Sequence, residues 1–365
     1  MLQSRTKVLF NAAFAALALA ALGVWLTPES SAQSSAAQGT FETIRVHGSA
    51  LEGNLEGDSP DREVLVYLPP SYVSDPTRHY PVVYFLHGYG STAQGYWNLM
   101  QVPEASDRVM SDDVQDMIVV LPDANSKYNG SMYSNSPTTG DWETFIAHDL
   151  VDYIDSHYRT IPARESRGLV GHSMGGYGTL RVAMRYPEVY SAIYAMSSCC
   201  LLNLPQAGNP NQAKGKGPAA KGAPGAKGKG PAPKGKGKGK GNAFALAGQA
   251  QAAAWSPDPS NPPDYFDNYM TDGKLDPLVA ARWAANSPTV MVNQHVPALR
   301  SFEAFMIDIG RSDGLFASNG QLEAELSRLK IPHEYETYDG NHGNRVKERY
   351  ASKVLPFFSR HLQGE

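Results

Sequence analysis

The chain has 365 residues, 42% of them hydrophobic and 19% charged, which supports a large buried core and excludes a wholly disordered or fibrous protein. Two cysteines exclude a disulfide-stapled scaffold, and no zinc-type Cys/His spacing is present. The net charge of −4 gives no general affinity for nucleic acid.

The chain opens on a leader-like segment. Arg5 and Lys7 supply a positive start, Ala12–Leu26 is an uncharged apolar run, and Ser30-Ser31-Ala32 offers small residues for cleavage before Gln33. Residues 1–32 therefore read as a signal peptide; an uncleaved membrane anchor is the competing reading. Cleavage would leave no stable membrane span and an exported protein, periplasmic or extracellular. The remainder, 33–365, reads as a single domain.

Strands and helices then alternate. Thr40–Gly48 and Glu63–Leu68 are early strands, the second stopped by Pro69-Pro70. Tyr80–Leu86 and Met117–Leu121 are continuous apolar runs, as strands buried on both faces require. Trp142–Tyr158 carries apolar residues at helical spacing. Gly168–Gly171 is a short strand, Met174–Tyr186 a helix ended by Pro187, and Ser191–Met196 another strand. Phe302–Ile309 is a strand, Gly320–Lys330 a helix, His333–Tyr338 a strand, and Asn344–Leu362 a closing helix with a kink expected at Pro356. This order predicts an α/β fold, a mostly parallel sheet covered by helices on both faces, with functional groups in loops at the carboxyl ends of strands.

One segment breaks the pattern. Gln206–Gly241 holds 11 Gly, 9 Lys, 7 Ala and 5 Pro, with no acid, aromatic or branched aliphatic residue. It cannot bury enough apolar area to offset its ordering entropy, so it reads as a disordered cationic insertion. Its lysines suit an anionic surface or polymer, with 213–241 as the contact; a solvated spacer is the plainer reading. Ahead of it, Cys199-Cys200 reads most simply as two partly buried thiols. A disulfide between adjacent residues would hold Cα atoms about 3.8 Å apart, shorter than the usual range.

The chemistry centres on Gly171-His172-Ser173-Met174-Gly175-Gly176, which follows a strand and opens a helix. That is the setting of a nucleophile elbow: small residues let a tight turn thrust the Ser173 hydroxyl above the sheet, near the positive end of the helix. A serine needs a positioned base. His342, in Asp339-Gly-Asn-His-Gly343 between the last strand and the last helix, would project over the strand ends. A carboxylate between the two should hold the histidine's tautomer. Asp313 lies just beyond its strand; Asp308, the rival, lies inside it, where a carboxylate points into a packed face. An oxyanion needs backbone donors, for which Met174 and Tyr89, in Leu86-His-Gly-Tyr-Gly90, are candidates. His87 and His172 sit in these loops and could orient backbone groups, while His148 is more simply structural.

Tyr80–Gly90 (YPVVYFLHGYG), Gly140–Asp149 (GDWETFIAHD) and the GHSMGG elbow together resemble the putative-esterase family of α/β-hydrolases, which includes S-formylglutathione hydrolase, feruloyl and acetylxylan esterases and mycolyltransferases. The resemblance spans about residues 41–363, except the insertion. It implies an α/β-hydrolase fold and a Ser173, Asp313, His342 triad. It implies backbone donors at Tyr89 and Met174, and neither a metal nor an organic cofactor. Trp142 and Glu143 match a family motif near the acyl site, with helix start and packing as their alternative role. The expected function is an exported serine carboxylic-ester hydrolase acting on a small-molecule or glycan-linked ester. Acyl transfer to a sugar hydroxyl, and a non-catalytic wall or polymer binder using the cationic loop, are the alternatives. Selectivity would reside in loops rich in Tyr, Asn and Pro, chiefly Lys127–Thr139 and Trp255–Asp276.

Overall fold

The structure, a computed structural model, describes residues 38–111, 113–202, 246–271 and 274–365. The leader-like segment 1–32 and the insertion 206–241 lie outside the described residues.

Eight strands form one sheet: β1 (Thr40–His47), β2 (Asp61–Leu68), β3 (Val82–Leu86), β4 (Ile118–Pro122), β5 (Arg167–His172), β6 (Ala192–Met196), β7 (Ala304–Gly310) and β8 (Glu334–Tyr338). Their spatial order is β1-β2-β4-β3-β5-β6-β7-β8. The β1–β2 and β2–β4 pairs are antiparallel. The pairs from β4 through β3, β5, β6 and β7 to β8 are all parallel.

The apolar runs explain the layering. In β3, Val82, Tyr84 and Leu86 join one core cluster, while Val83 and Phe85 join the other. The first face is covered by α4 (Met174–Arg185) through Tyr177 and Leu180, together with α3 (Leu150–His157) through Val151 and Ile154. The second is covered by α1 (Ala93–Met100) through Trp97 and Met100, α2 (Val102–Met110) through Ala105 and Met110, and α7 (Leu355–His361) through Phe357 and Phe358. Each such large side chain contributes about 1.5–3 kcal/mol of burial.

Register sets up the site. Leu86 pairs with Gly171, His172 with Met196, Met196 with Asp308, and Gly310 with Tyr338. The carboxyl ends of β3, β5, β6, β7 and β8 therefore open along one edge, where the loops after parallel strands converge.

Some elements depart from the sequence expectation. The helix expected over Gly320–Lys330 is α6, Phe316–Arg328, which starts four residues earlier. The Trp142–Tyr158 helix contains a π turn at Phe145–Asp149 before α3. The closing helix runs as Val346–Arg349, a π turn at Tyr350–Val354, then α7. Pro356 sits in the first turn of α7, and the wider π turn precedes it, relieving the clash a proline ring makes with the carbonyl four residues back.

Candidate active site

Ser173 stands between β5 and α4 with φ 60° and ψ −113°, a backbone conformation that is costly for a residue with a side chain. The surrounding glycines make it attainable. A Cβ on Gly171 would collide with the backbone of Gly175, and one on Gly175 with the carbonyl of Leu86 at the end of β3. The turn is closed by two hydrogen bonds to the β6 end: Ser173 N–H donates to Met196 O (3.0 Å), and Cys199 N–H donates to Ser173 O (3.1 Å).

His342, four residues beyond β8, places Nε2 2.9 Å from Ser173 Oγ. Its Nδ1 lies 2.8 Å from Asp313 Oδ2. With the imidazole proton on Nδ1, that nitrogen donates to Asp313 while Nε2 accepts from the Ser173 hydroxyl. Asp313, three residues beyond β7, also accepts from Leu315 N–H (2.9 Å). Burial pushes its carboxyl up, but hydrogen bonds from His342 and from the Leu315 amide outweigh that and leave it below the usual carboxylate range. The Asp313 side chain is buried, whereas the His342 side chain is 43% exposed, so solvent reaches the imidazole.

Asp308, the rival, is fully buried in β7. Its Oδ2 accepts from Tyr194 Oη (2.7 Å) and pairs with Arg349 Nε (2.5 Å). Burial pushes this carboxyl up to about 6 even against the Arg349 guanidinium. These contacts tie the closing helical segment to the sheet.

The loop after β3 is shaped by buried polar contacts. His87 Nε2 accepts from Ala124 N–H (2.8 Å), and its Nδ1 donates to Gly88 O (2.9 Å). Burial lowers its pKa, so it is neutral with one tautomer fixed. Tyr133 Oη donates to His87 O (3.1 Å), and Gly90 N–H donates to Asn129 O (2.9 Å). A Cβ on Gly88 would stand 3.3 Å from Ser173 Cβ, so the Gly88-Tyr89-Gly90 backbone passes directly beside the nucleophile. Gly90 has φ 71°, which a side chain would resist. Met174 opens α4, whose first N–H groups have no acceptor one turn back. The sequence-predicted Tyr89 follows Gly88 in this loop and Met174 follows Ser173, so the two candidates lie on two different elements.

His172 is buried between these parts. Burial first, and then the neighbouring His342, lower its pKa to about 3. Its Nδ1 accepts from Tyr96 Oη (2.6 Å) and its Nε2 donates to the His342 carbonyl (2.6 Å). Tyr96 was not legible as a site residue: it sits on α1 amid apolar residues, and only the fold brings it to the elbow.

Trp142 and Glu143 are both buried, and their polar atoms face the chain. Trp142 Nε1 donates to Thr139 O (2.8 Å), with the Arg62 guanidinium 5.0 Å over its ring. Glu143 accepts from Asn135 N–H (3.0 Å) and pairs with Arg181 Nε of α4 (2.5 Å). In the structure these contacts hold the 135–144 segment against α4, as the alternative expectation of helix start and packing has it. His148 packs edge-on against Tyr186, in keeping with a structural role. Among the described residues, no group of three His, Cys, Asp or Glu is placed to hold a metal.

The family model described as "Putative esterase" matches residues 59–346. An esterase of Mycobacterium tuberculosis (strain ATCC 25618 / H37Rv), Rv1288, is 31% identical over 129 residues, covering 34% of this chain and 26% of that protein. The match thus spans about a quarter of the length of that curated relative. Among solved structures, a ferulic acid esterase superposes with TM-score 0.61 at 22% identity, over 89% of this chain and 99% of that one. An S-formylglutathione hydrolase from Agrobacterium tumefaciens gives TM-score 0.58 at 16% identity, over 90% of this chain and 97% of that one. At these identities the likeness shows the α/β-hydrolase fold.

Proposed function

The chain belongs to the putative esterase family, and on that premise we propose that it hydrolyses carboxylic esters through an acyl-enzyme on Ser173. The observation that carries this reading is the unbroken hydrogen-bonded series Ser173 Oγ–His342 Nε2 and His342 Nδ1–Asp313 Oδ2, at 2.9 and 2.8 Å. Ser173 Oγ attacks the acyl carbon while His342 takes its proton. Asp313, held ionised, stabilises the imidazolium without itself taking the proton. Backbone N–H groups of Tyr89 and Met174 receive the oxyanion, a contribution of roughly 10²–10³ in rate per donor. The intermediate collapses, and the alcohol leaves with the proton from His342. Water, activated by the same imidazole, then cleaves the acyl-enzyme and releases the acid. The half-exposed imidazole favours water as the second acceptor. No metal or organic cofactor enters this sequence of steps.

The substrate is proposed as a small-molecule or glycan-linked ester, and the protein as exported, the latter resting on the leader-like segment 1–32. No helix among the described residues is long and apolar enough to cross a membrane. Turnover of acetyl, butyryl and feruloyl esters and of a thioester, by the wild type and by Ser173→Ala, tests the reading. At least one substrate should turn over in the wild type and none in a folded Ser173→Ala. Retained turnover in the variant would reject it. An ester formed with an added sugar acceptor would redirect it to acyl transfer.

A further inference from the structure

We propose that Cys199 and Cys200 are a site of reversible oxidation, closing to a disulfide between adjacent residues that is tied to the Ser173 elbow. The two Sγ atoms lie 2.7 Å apart and share a hydrogen bond. That is well inside the roughly 3.5–4.0 Å at which non-bonded carbon atoms rest, and sulfur is larger. The backbone has already taken the shape that brings the side chains together: Ser197 has φ 43° and Cys200 φ 60°, both in a region a side chain resists. Hydrogen bonds from three directions hold that shape. Ser197 N–H donates to Asp308 O (2.8 Å), Asn319 Nδ2 donates to Ser198 O (2.9 Å), and Gln251 Nε2 of α5 (Ala247–Trp255) reaches Cys200 Sγ (3.3 Å).

Both cysteines are partly buried. The hydrogen bond to Cys200, followed by burial, pushes the Cys199 thiol up, so Cys199 rests as the thiol. The co-reactant is a small-molecule or protein disulfide, RSSR. One cysteine, as thiolate, attacks it, forming a mixed disulfide and releasing one RS⁻. The neighbouring cysteine loses its proton to solvent and displaces the second RS⁻. The pair gives up two electrons and two protons, and RSSR becomes two RSH.

The position of the pair gives the modification a consequence. Cys199 N–H donates to the carbonyl of Ser173 itself (3.1 Å). Closing the ring fixes the peptide between Cys199 and Cys200 and so changes how firmly the elbow is held. This second step rests on the proposed role of Ser173; the oxidation itself does not.

The test uses the full chain, treated with oxidised glutathione or with a phosphine reductant and then alkylated. Oxidised protein should be two mass units lighter than reduced protein, block alkylation at both cysteines, and revert with the phosphine. Cys200→Ser should instead carry a glutathione adduct at Cys199. Two alkylatable thiols after oxidant, a lasting glutathione adduct on the wild type, or a disulfide-linked dimer would each overturn the proposal. The rate of Ser173 labelling by a fluorophosphonate should differ severalfold between the oxidised and reduced wild type. Equal rates would overturn the tie to the elbow. Absence of label in both forms would count against the catalytic reading and leave the mass result to decide the ring.

Discussion

His172 Nε2 lies 2.6 Å from the carbonyl oxygen of His342, so the residue before the nucleophile holds the backbone of the proposed base. Its other nitrogen takes a hydrogen bond from Tyr96, whose hydroxyl lies where a Cβ on Gly88 would stand. One neutral imidazole thus links the β3 loop, the elbow and the β8 loop. An imidazolium there could not accept from Tyr96, which is why burial and a lowered pKa serve the arrangement.

Removing that link should misplace His342 without removing it. His172→Phe should lower kcat by about tenfold or more with KM little changed, since misplacement of a catalytic group by a fraction of an ångström is costly. His172→Gln, whose amide can still donate to the His342 carbonyl, should recover much of the loss. Steady-state kinetics of both variants checks this; equal losses in Phe and Gln would assign His172 to packing alone.

Acid stability carries the same signature. The folded pKa of His172 is depressed from 6.5 to about 3, so the folded state binds fewer protons than the unfolded chain between those values. Its stabilising contribution is complete above about pH 6.5 and is lost as pH falls toward 3, up to a few kcal/mol in all. Denaturant unfolding at pH 7.5 and 5 should show this loss, and His172→Gln should show a smaller one. His87, also buried and neutral, accounts for part of the remainder.

The two aspartates of the β7 region should separate cleanly. Asp313→Asn should leave the melting temperature nearly unchanged and reduce ester turnover by several orders of magnitude, because the imidazole loses its tautomer partner. Asp308→Asn breaks a buried pair with Arg349 and should cost about 3–5 kcal/mol of stability. The fraction of that variant still folded should retain turnover. Loss of turnover in folded Asp308→Asn, with activity kept in Asp313→Asn, would reverse the assignment.

Much of this was legible in the sequence because backbone sterics and burial leave few alternatives. Only Gly tolerates the contacts at 171 and 175, and a strand covered on both faces reads as a continuous apolar run such as YPVVYFL or MIVVL. Asp308 was legible as a core partner because a carboxylate inside a buried strand must pair within the core, as it does with Arg349. The segment between β6 and β7 was not legible. Its helix α5 (AGQAQAAAW) lacks contrast between an apolar and a polar face, and the helices Pro277–Ala285, Pro288–Met291 and Val296–Arg300 are short and start around prolines. The Tyr96 contact could not be read because it joins residues 76 positions apart. For Trp142 and Glu143 the sequence left substrate contact and packing both open, because a motif marks importance without saying whether it lies in contact or in support.

The proposed chemistry rests on Ser173 being the nucleophile that His342 activates. The most direct measurement is fluorophosphonate labelling of the wild type and of His342→Ala, with the adduct located by peptide mass. The wild type should carry one adduct, on Ser173, and a folded His342→Ala should label at least 10²-fold more slowly, the order of a lost general base. An unlabelled Ser173 in active wild-type protein, or equal labelling without the imidazole, would contradict it.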